Sequence, residues 1–163
     1  MTAFTVRNRS SATVAAKPAE VWSALTDPVL LPRLTPYLRE IEADGDRWVW
    51  HLNRVPVLGI GIAPSFTELM TFDEPSTITF THDPDRSGER AGVDGTYRLK
   101  PAGRGTDLAI DLSITVELPL PKVARPAVET AMRGVVAAMG SRFSANLLRH
   151  LGTSTTNRSG VGS

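Results

Sequence analysis

Glu68 and His82 set a carboxyl and an imidazole on what side-chain alternation makes the apolar face of two neighbouring strands. Phe66, Met70 and Phe72 share that face with Glu68, and Ile78 and Phe80 share theirs with His82. Pairing Asp73 with Thr77 around Glu74-Pro75-Ser76 places Phe72 opposite Ile78, Met70 opposite Phe80 and Glu68 opposite His82. A slip of one residue would set apolar side chains against Thr77, Thr79 and Thr81, so this register is the expected one. Burial raises a carboxyl pKa and a facing imidazolium lowers it, and pairs perturbed in this way cluster at functional sites. Two readings follow. One is a polar anchor or acid/base pair inside a cavity, with Tyr97 as a further proton carrier. The other is a structural cross-strand pair at the wet rim of the sheet, worth ~0.2–1 kcal/mol.

The same parity turns Trp48, Trp50, Phe66, Phe80 and Tyr97 inward, either as cavity lining or as plain core. His51 alternates with Trp48, Trp50 and Leu52 and is expected to face solvent. His150 falls in the last turn of a helical pattern, where a positive charge is favourable. With three scattered histidines and no cysteine, no metal site is expected, and nothing calls for a cofactor. There is no Gly-x-Ser-x-Gly elbow, and Gly59-Ile60-Gly61 opens no helix pattern, so nucleophilic-elbow hydrolysis and dinucleotide binding are not supported.

The elements that must position these residues are legible in the hydrophobic periodicity. Leu108, Ile110, Leu112, Ile114, Val116 and Leu118 alternate with polar or small residues, which predicts a strand over 107–118 with one apolar face. Past Pro119 and Pro121 the pattern becomes helical to about Leu151. Its apolar stripe is Val128, Ala131, Met132, Val135, Ala138, Met139 and Phe143, of which Met132 and Val135 are expected to line the cavity. Arg142, Asn146 and Arg149 then occupy the formerly apolar sector. They either bring charge to the closed end of a cavity or mark a helix that outruns the sheet. Upstream, residues 4–16 read as a first strand. Lys17-Pro18-Ala19-Glu20 opens a short helix, and Asp27-Pro28 caps a second. Strands follow over 38–43 and 47–54, joined by Asp44-Gly45-Asp46, and over 66–72, 78–82, 90–100 and 107–118. Residues 55–64, rich in Gly and Pro, read as a mobile loop. The expected fold is α+β, a helix-grip: a curved antiparallel sheet wrapped around a long C-terminal helix, with two short helices after the first strand. One domain is expected over 1–151, and 152–163 as a disordered tail.

At 163 residues, 41% hydrophobic, with a formal net charge of +1, the chain is large enough for one real core and has no basic cluster. Neither nucleic acid nor an anionic membrane is expected as a partner. The absence of cysteine and of an apolar leader or span points to a cytoplasmic protein without membrane insertion.

The run Ala12-Thr13-Val14-Ala15-Ala16-Lys17-Pro18-Ala19-Glu20-Val21-Trp22-Ser23-Ala24-Leu25-Thr26-Asp27 resembles the opening of the START/Bet v 1-like superfamily, in its bacterial polyketide cyclase/dehydrase and lipid-transport branch. Phe72-Asp73-Glu74-Pro75 resembles the hairpin before that family's middle strand. The resemblance covers residues 4–151. It implies a hydrophobic cavity between sheet and last helix that takes lipids, polyketides or other aromatic small molecules. No universal catalytic motif carries over. The first expectation is a non-enzymatic binding protein, with Trp50, Phe66, Glu68, Phe80, His82, Tyr97, Met132 and Val135 at the ligand. The alternative is a polyketide cyclase/dehydratase in which Glu68, His82 or Tyr97 shuttles protons. A third is a protein-interaction role.

Overall fold

The computed structural model describes residues 1–152, so the tail expected over 152–163 lies, from residue 153 onward, outside the described residues. Chain order runs β1 (Thr2–Val14), α1 (Pro18–Leu25), α2 (Leu31–Leu34), β2 (Leu38–Asp44), β3 (Arg47–Leu52), β4 (Val55–Val57), β5 (Ile60–Ile62), β6 (Ser65–Asp73), β7 (Thr77–His82), β8 (Ala91–Ala102), β9 (Gly105–Leu118) and α3 (Arg125–His150). Seven strands form one sheet in the order β1-β9-β8-β7-β6-β3-β2, with every neighbouring pair antiparallel. The helix-grip α+β fold read from the sequence is the fold observed.

Local chemistry explains the boundaries. Pro18 sits in the first turn of α1, and the Glu20 carboxylate accepts the Lys17 N–H at 3.0 Å. Asp27 Oδ1 accepts the N–H groups of Val29 and Leu30 at 2.9 and 3.1 Å, the cap expected of it. Along β1 and β9 the outward residues form polar cross-strand contacts, among them Thr5 with Thr115 and a two-pronged Arg7–Asp111 pair. The inward residues of the same strands are apolar at the ends, where Phe4, Val6, Val14, Leu108, Val116 and Leu118 are buried.

The register of β6 and β7 is the expected one, with Phe72 opposite Ile78, Met70 opposite Phe80 and Glu68 opposite His82. Other expectations need correction. Residues 55–64 are not an unstructured loop: β4 and β5 pair as a hairpin through Leu58 and Gly59, both at positive φ (51° and 78°), as a tight twisted turn requires. Val55 and Val57 are buried there, so the segment is anchored by apolar side chains. The C-terminal helix begins after a single 3-10 turn at 122–124. Ala138 is exposed on it, and the fully buried positions are Val128, Met132, Phe143 and Leu147. Asn146 donates to the Leu34 carbonyl at 2.9 Å and accepts from Arg149 at 3.1 Å, so the polar end of α3 docks on α2. Trp48 belongs to the core, between Trp50 and Phe72 at ring separations of 6.0 and 5.8 Å.

Two glycines test this packing in opposite directions. A Cβ on Gly95, in β8, would lie 2.7 Å from the Asp111 carbonyl oxygen, 2.7 Å from Leu112 Cδ2 and 2.8 Å from Phe80 Cε2. Gly95→Ala is therefore expected to destabilise by about 1–3 kcal/mol through overpacking. Gly134 on α3 has nothing within 4 Å of its Cβ position, so Gly134→Ala is expected to stabilise by about 1 kcal/mol. Urea unfolding midpoints read both.

Candidate functional site

Two buried clusters hold the sheet to its helices. One gathers Trp22, Leu25, Leu31, Trp48, Met70, Ile78, Leu108, Phe143 and Leu147 around α1, α2 and the end of α3. The other gathers Phe4, Val6, Val57, Phe66, Val116, Leu118, Val128 and Met132 around the start of α3. Between them the middle of α3 stands off the sheet, and a cavity of ≈ 240 Å³ opens there. Its sheet wall includes Trp50, Phe66, Glu68, Phe80, Val93, Tyr97, Ile110, Leu112 and Ile114. Its helix wall includes Met132, Val135, Val136 and Met139, and α2 and the β4–β5 hairpin add Leu31, Thr35, Val57 and Ile62. The volume falls a little below the roughly 300–1,000 Å³ usual for ligand pockets. The aromatic wall occupies that space: Trp50 stacks on Phe66 at 6.4 Å, and Phe80 meets Tyr97 edge-on at 5.1 Å.

Of the residues expected at the site, Trp50, Phe66, Glu68, Phe80, Tyr97, Met132 and Val135 lie together in this wall, and His82 does not. The His82 ring packs where a Cβ of Gly92 would be, 2.8 Å away at Cγ. Gly92 alternates along β8 with Ala91 and Val93, whose side chains face the cavity, so the ring lies on the opposite face. There His82 joins Glu89, Asp94, Thr115 and Glu117 around a polar depression. The β7–β8 ladder ends at Phe80–Gly95, and the His82 N–H is taken by Asp94 Oδ1 at 2.9 Å. Past Phe80 the strand is held by β6 alone, through the Glu68–His82 pairing, and the ring turns to the far face there.

The expected Glu68–His82 hydrogen bond is accordingly replaced by one between His82 Nε2 and Glu89 Oε1 at 2.8 Å. Glu89 also accepts the Thr67 N–H and hydroxyl, both at 2.8 Å, filling the edge that β7 vacates. Although burial works against it, these hydrogen bonds hold the Glu89 carboxyl below the ordinary carboxylate range. The signals for this partner were Gly92, a strand glycine marking a close approach, and Glu89 itself on the turn that returns past His82. His51 is likewise engaged outside the cavity, with Glu42 at 2.6 Å and Ser65 at 2.7 Å.

Glu68 is left fully buried at the cavity wall. Its Oε2 accepts the Val93 N–H at 3.2 Å, while Oε1 has no partner among the described residues. Desolvation, aided by the negative charges of Asp94 and Glu89 and opposed by the Val93 hydrogen bond, pushes this carboxyl up to about 8. Burial alone pushes the Tyr97 phenol up to about 12. The Trp50 indole N–H is also buried without a partner. Asn8, Ser10, Thr35 and Ser144 add neutral polar groups, and no Lys, Arg or His is present among the described residues of the lining. Asn8 and Ser10 escaped the sequence reading because they interrupt the apolar alternation of β1. No group of three His, Asp or Glu among the described residues is arranged to hold a metal ion.

A sheet folded around one long helix, with an apolar cavity trapped between them, defines a START/Bet v 1-like protein. The chain matches the family described as "Polyketide cyclase / dehydrase and lipid transport" over residues 5–152, and it belongs to that family. Three solved structures carry the same fold. A conserved protein from Geobacillus kaustophilus is 22% identical, with 91% of this chain and 97% of that one covered at a TM-score of 0.70. The Zhui aromatase/cyclase of a Streptomyces species is 16% identical over 93% and 96%, with a TM-score of 0.68. A START superfamily protein from Mycobacterium smegmatis is 16% identical over 88% and 97%, with a TM-score of 0.64. No curated protein sequence matches the chain. No helix among the described residues is long and apolar enough to cross a membrane.

The raised Glu68 pKa has a definite consequence for stability. The native state keeps a proton that the unfolded chain releases near 4.5, so stability is fully present below that pH and falls as pH rises toward about 8. The expected loss is on the order of a few kcal/mol. Glu68→Gln, neutral at every pH, is expected to flatten this part of the stability–pH profile in urea titrations. An unchanged slope would show that Glu68 is ionised in the folded protein.

Proposed function

We propose that this protein binds a hydrophobic small molecule, a lipid, polyketide or aromatic metabolite, in the cavity between the sheet and α3, for transport or sequestration. The carrying observation is the cavity itself: apolar on nearly every side, bounded by packed clusters at both ends, and lined by aromatic rings that offer flat contact area. Membership of a family described by cyclase, dehydrase and lipid-transport activities is consistent with this reading. Trp50, Phe66, Phe80, Tyr97, Met132 and Val135 would supply the contact surface, and Glu68 the polar anchor.

A second reading, a cyclase or dehydratase, draws support from the two proton-bearing groups of one cavity, the Glu68 carboxyl and the Tyr97 phenol. Under it, Glu68→Gln and Tyr97→Phe would slow dehydration of a poly-β-ketone surrogate at unchanged substrate affinity. The binding reading expects no turnover from either form.

The test of the first reading is direct. Native mass spectrometry of freshly purified protein is expected to show a co-purifying small molecule or, after its removal, one equivalent of Nile red. Val135→Trp fills the cavity from the helix side and is expected to weaken Nile red binding by at least about tenfold without lowering the melting temperature. Dye binding that survives this filling would place the ligand elsewhere.

A further inference from the structure

The two buried polar atoms that the cavity wall leaves without partners among the described residues belong to neighbouring positions of one wall. Trp50 on β3 is directly opposite Phe66 on β6, and Glu68 follows two residues later on the same face. Trp50 and Glu68 are thus diagonal cross-strand neighbours, at the ~7–8 Å spacing of such pairs. The indole N–H can only donate. The carboxyl is less obvious, and its geometry decides the matter. Oε2 accepts the Val93 N–H, so in the neutral acid the proton sits on Oε1, the oxygen with no partner.

The groups facing this carboxyl favour the neutral acid. β8 contributes Tyr97 on the same face, while Asp94 on β8 and Glu89 on the turn after β7 add negative charge from the other face. His82, opposite on β7, has its ring committed to Glu89 on the far face. β3 offers Trp48 and Trp50, and α3 offers only uncharged lining. A carboxylate wholly out of water, with one N–H bond and no cation beside it, is far costlier than its neutral form.

Resting on the binding reading above, we infer that the cavity selects an uncharged ligand with two hydrogen-bond acceptors on one rigid ring system, one taking the Glu68 Oε1–H and the other the Trp50 Nε1–H. Carbonyl-bearing aromatics fit this description. A hydrocarbon of the same shape leaves both donors unpaired, and an anion enters a lining with no cation and an acid that must stay neutral.

Three probes of one ring system separate these cases: 1,4-naphthoquinone, naphthalene and 1-naphthoate, each measured by displacement of Nile red at about pH 6. The chain has no cysteine, so the quinone meets no thiol. The quinone is expected to bind about tenfold more tightly than naphthalene. Glu68→Met and Trp50→Phe are each expected to lower quinone affinity far more than naphthalene affinity, so that most of that advantage is lost. Glu68→Gln, whose amide N–H still donates, is expected to keep it. Between about pH 6 and pH 9.5 the advantage is expected to fade in the unmodified protein and to persist in Glu68→Gln. Equal binding of quinone and naphthalene, or tighter binding of 1-naphthoate, overturns this inference and leaves the cavity a binding site. Failure of Nile red itself to bind overturns the binding reading and this inference with it.

Discussion

The concave face of the sheet presents a largely apolar surface, carried chiefly by the inward residues of β8 and β9, and α3 must cover it to keep it from water. The helix meets this demand at its two ends. Val128 and Met132 seal one end against Phe4 and Val116, and Phe143 and Leu147 seal the other against α1 and α2. Val135, Val136 and Met139, between them, are only half-buried because the sheet curves away beneath them. At ~24 cal/mol per Å³, an unfilled space of ≈ 240 Å³ forgoes several kcal/mol of packing. That is a large share of the roughly 5–15 kcal/mol by which domains are stable. Larger side chains on α3 would recover it, so the open middle is a property of the sequence with a stability cost.

The peripheral elements make sense in the same terms. A single helix of 26 residues cannot close a seven-stranded sheet on all sides. The β4–β5 hairpin adds Val57 and Ile62 to the lining, and α2 with its C-cap adds Leu31 and Thr35. Both are short: Val55 and Val57 anchor the hairpin, and Leu31 and Leu34, with the hydrogen bonds of Asp27 and Asn146, anchor the α2 region. Leu31 and Val57 also belong to the two core clusters, so these elements are tied to the packing at both ends of the cavity.

Much of this was legible in the sequence because alternation and helical periodicity are geometric consequences of the backbone. The strict pattern over 107–118 and the β6–β7 register around Glu74-Pro75-Ser76 follow from which faces must be apolar. Those same constraints placed Trp50, Phe66, Glu68, Phe80 and Tyr97 on one wall. His82 was misplaced although its pairing with Glu68 was read correctly: it lies two residues past the end of the β7–β8 ladder, where Asp94 takes its N–H and Glu89 takes its ring on the far face. The hairpin over 55–62 was missed because Pro56 and Gly61 lower its strand propensity, while burial of Val55 and Val57, a tertiary effect, stabilises it. Asn8 and Ser10 were invisible as lining for a related reason: a polar residue facing a cavity looks, in sequence, like one facing water.

The misplacement of His82 sharpens the chemistry of the interior. Two glutamates sit on opposite faces of the same sheet and are driven in opposite directions. Glu89, outside, collects the His82 ring and two donors from Thr67, so its negative charge is satisfied where it lies. Glu68, inside, keeps one N–H and faces aromatic carbon, so its charge is suppressed. Had His82 turned inward, the interior would hold an ion pair, and any ligand would have to compete with it for both groups. With the imidazole held outside, the cavity retains an acid free to donate, beside an indole that can only donate. The outward pair thereby keeps the imidazole out of the apolar chamber, whose lining among the described residues holds no Lys, Arg or His.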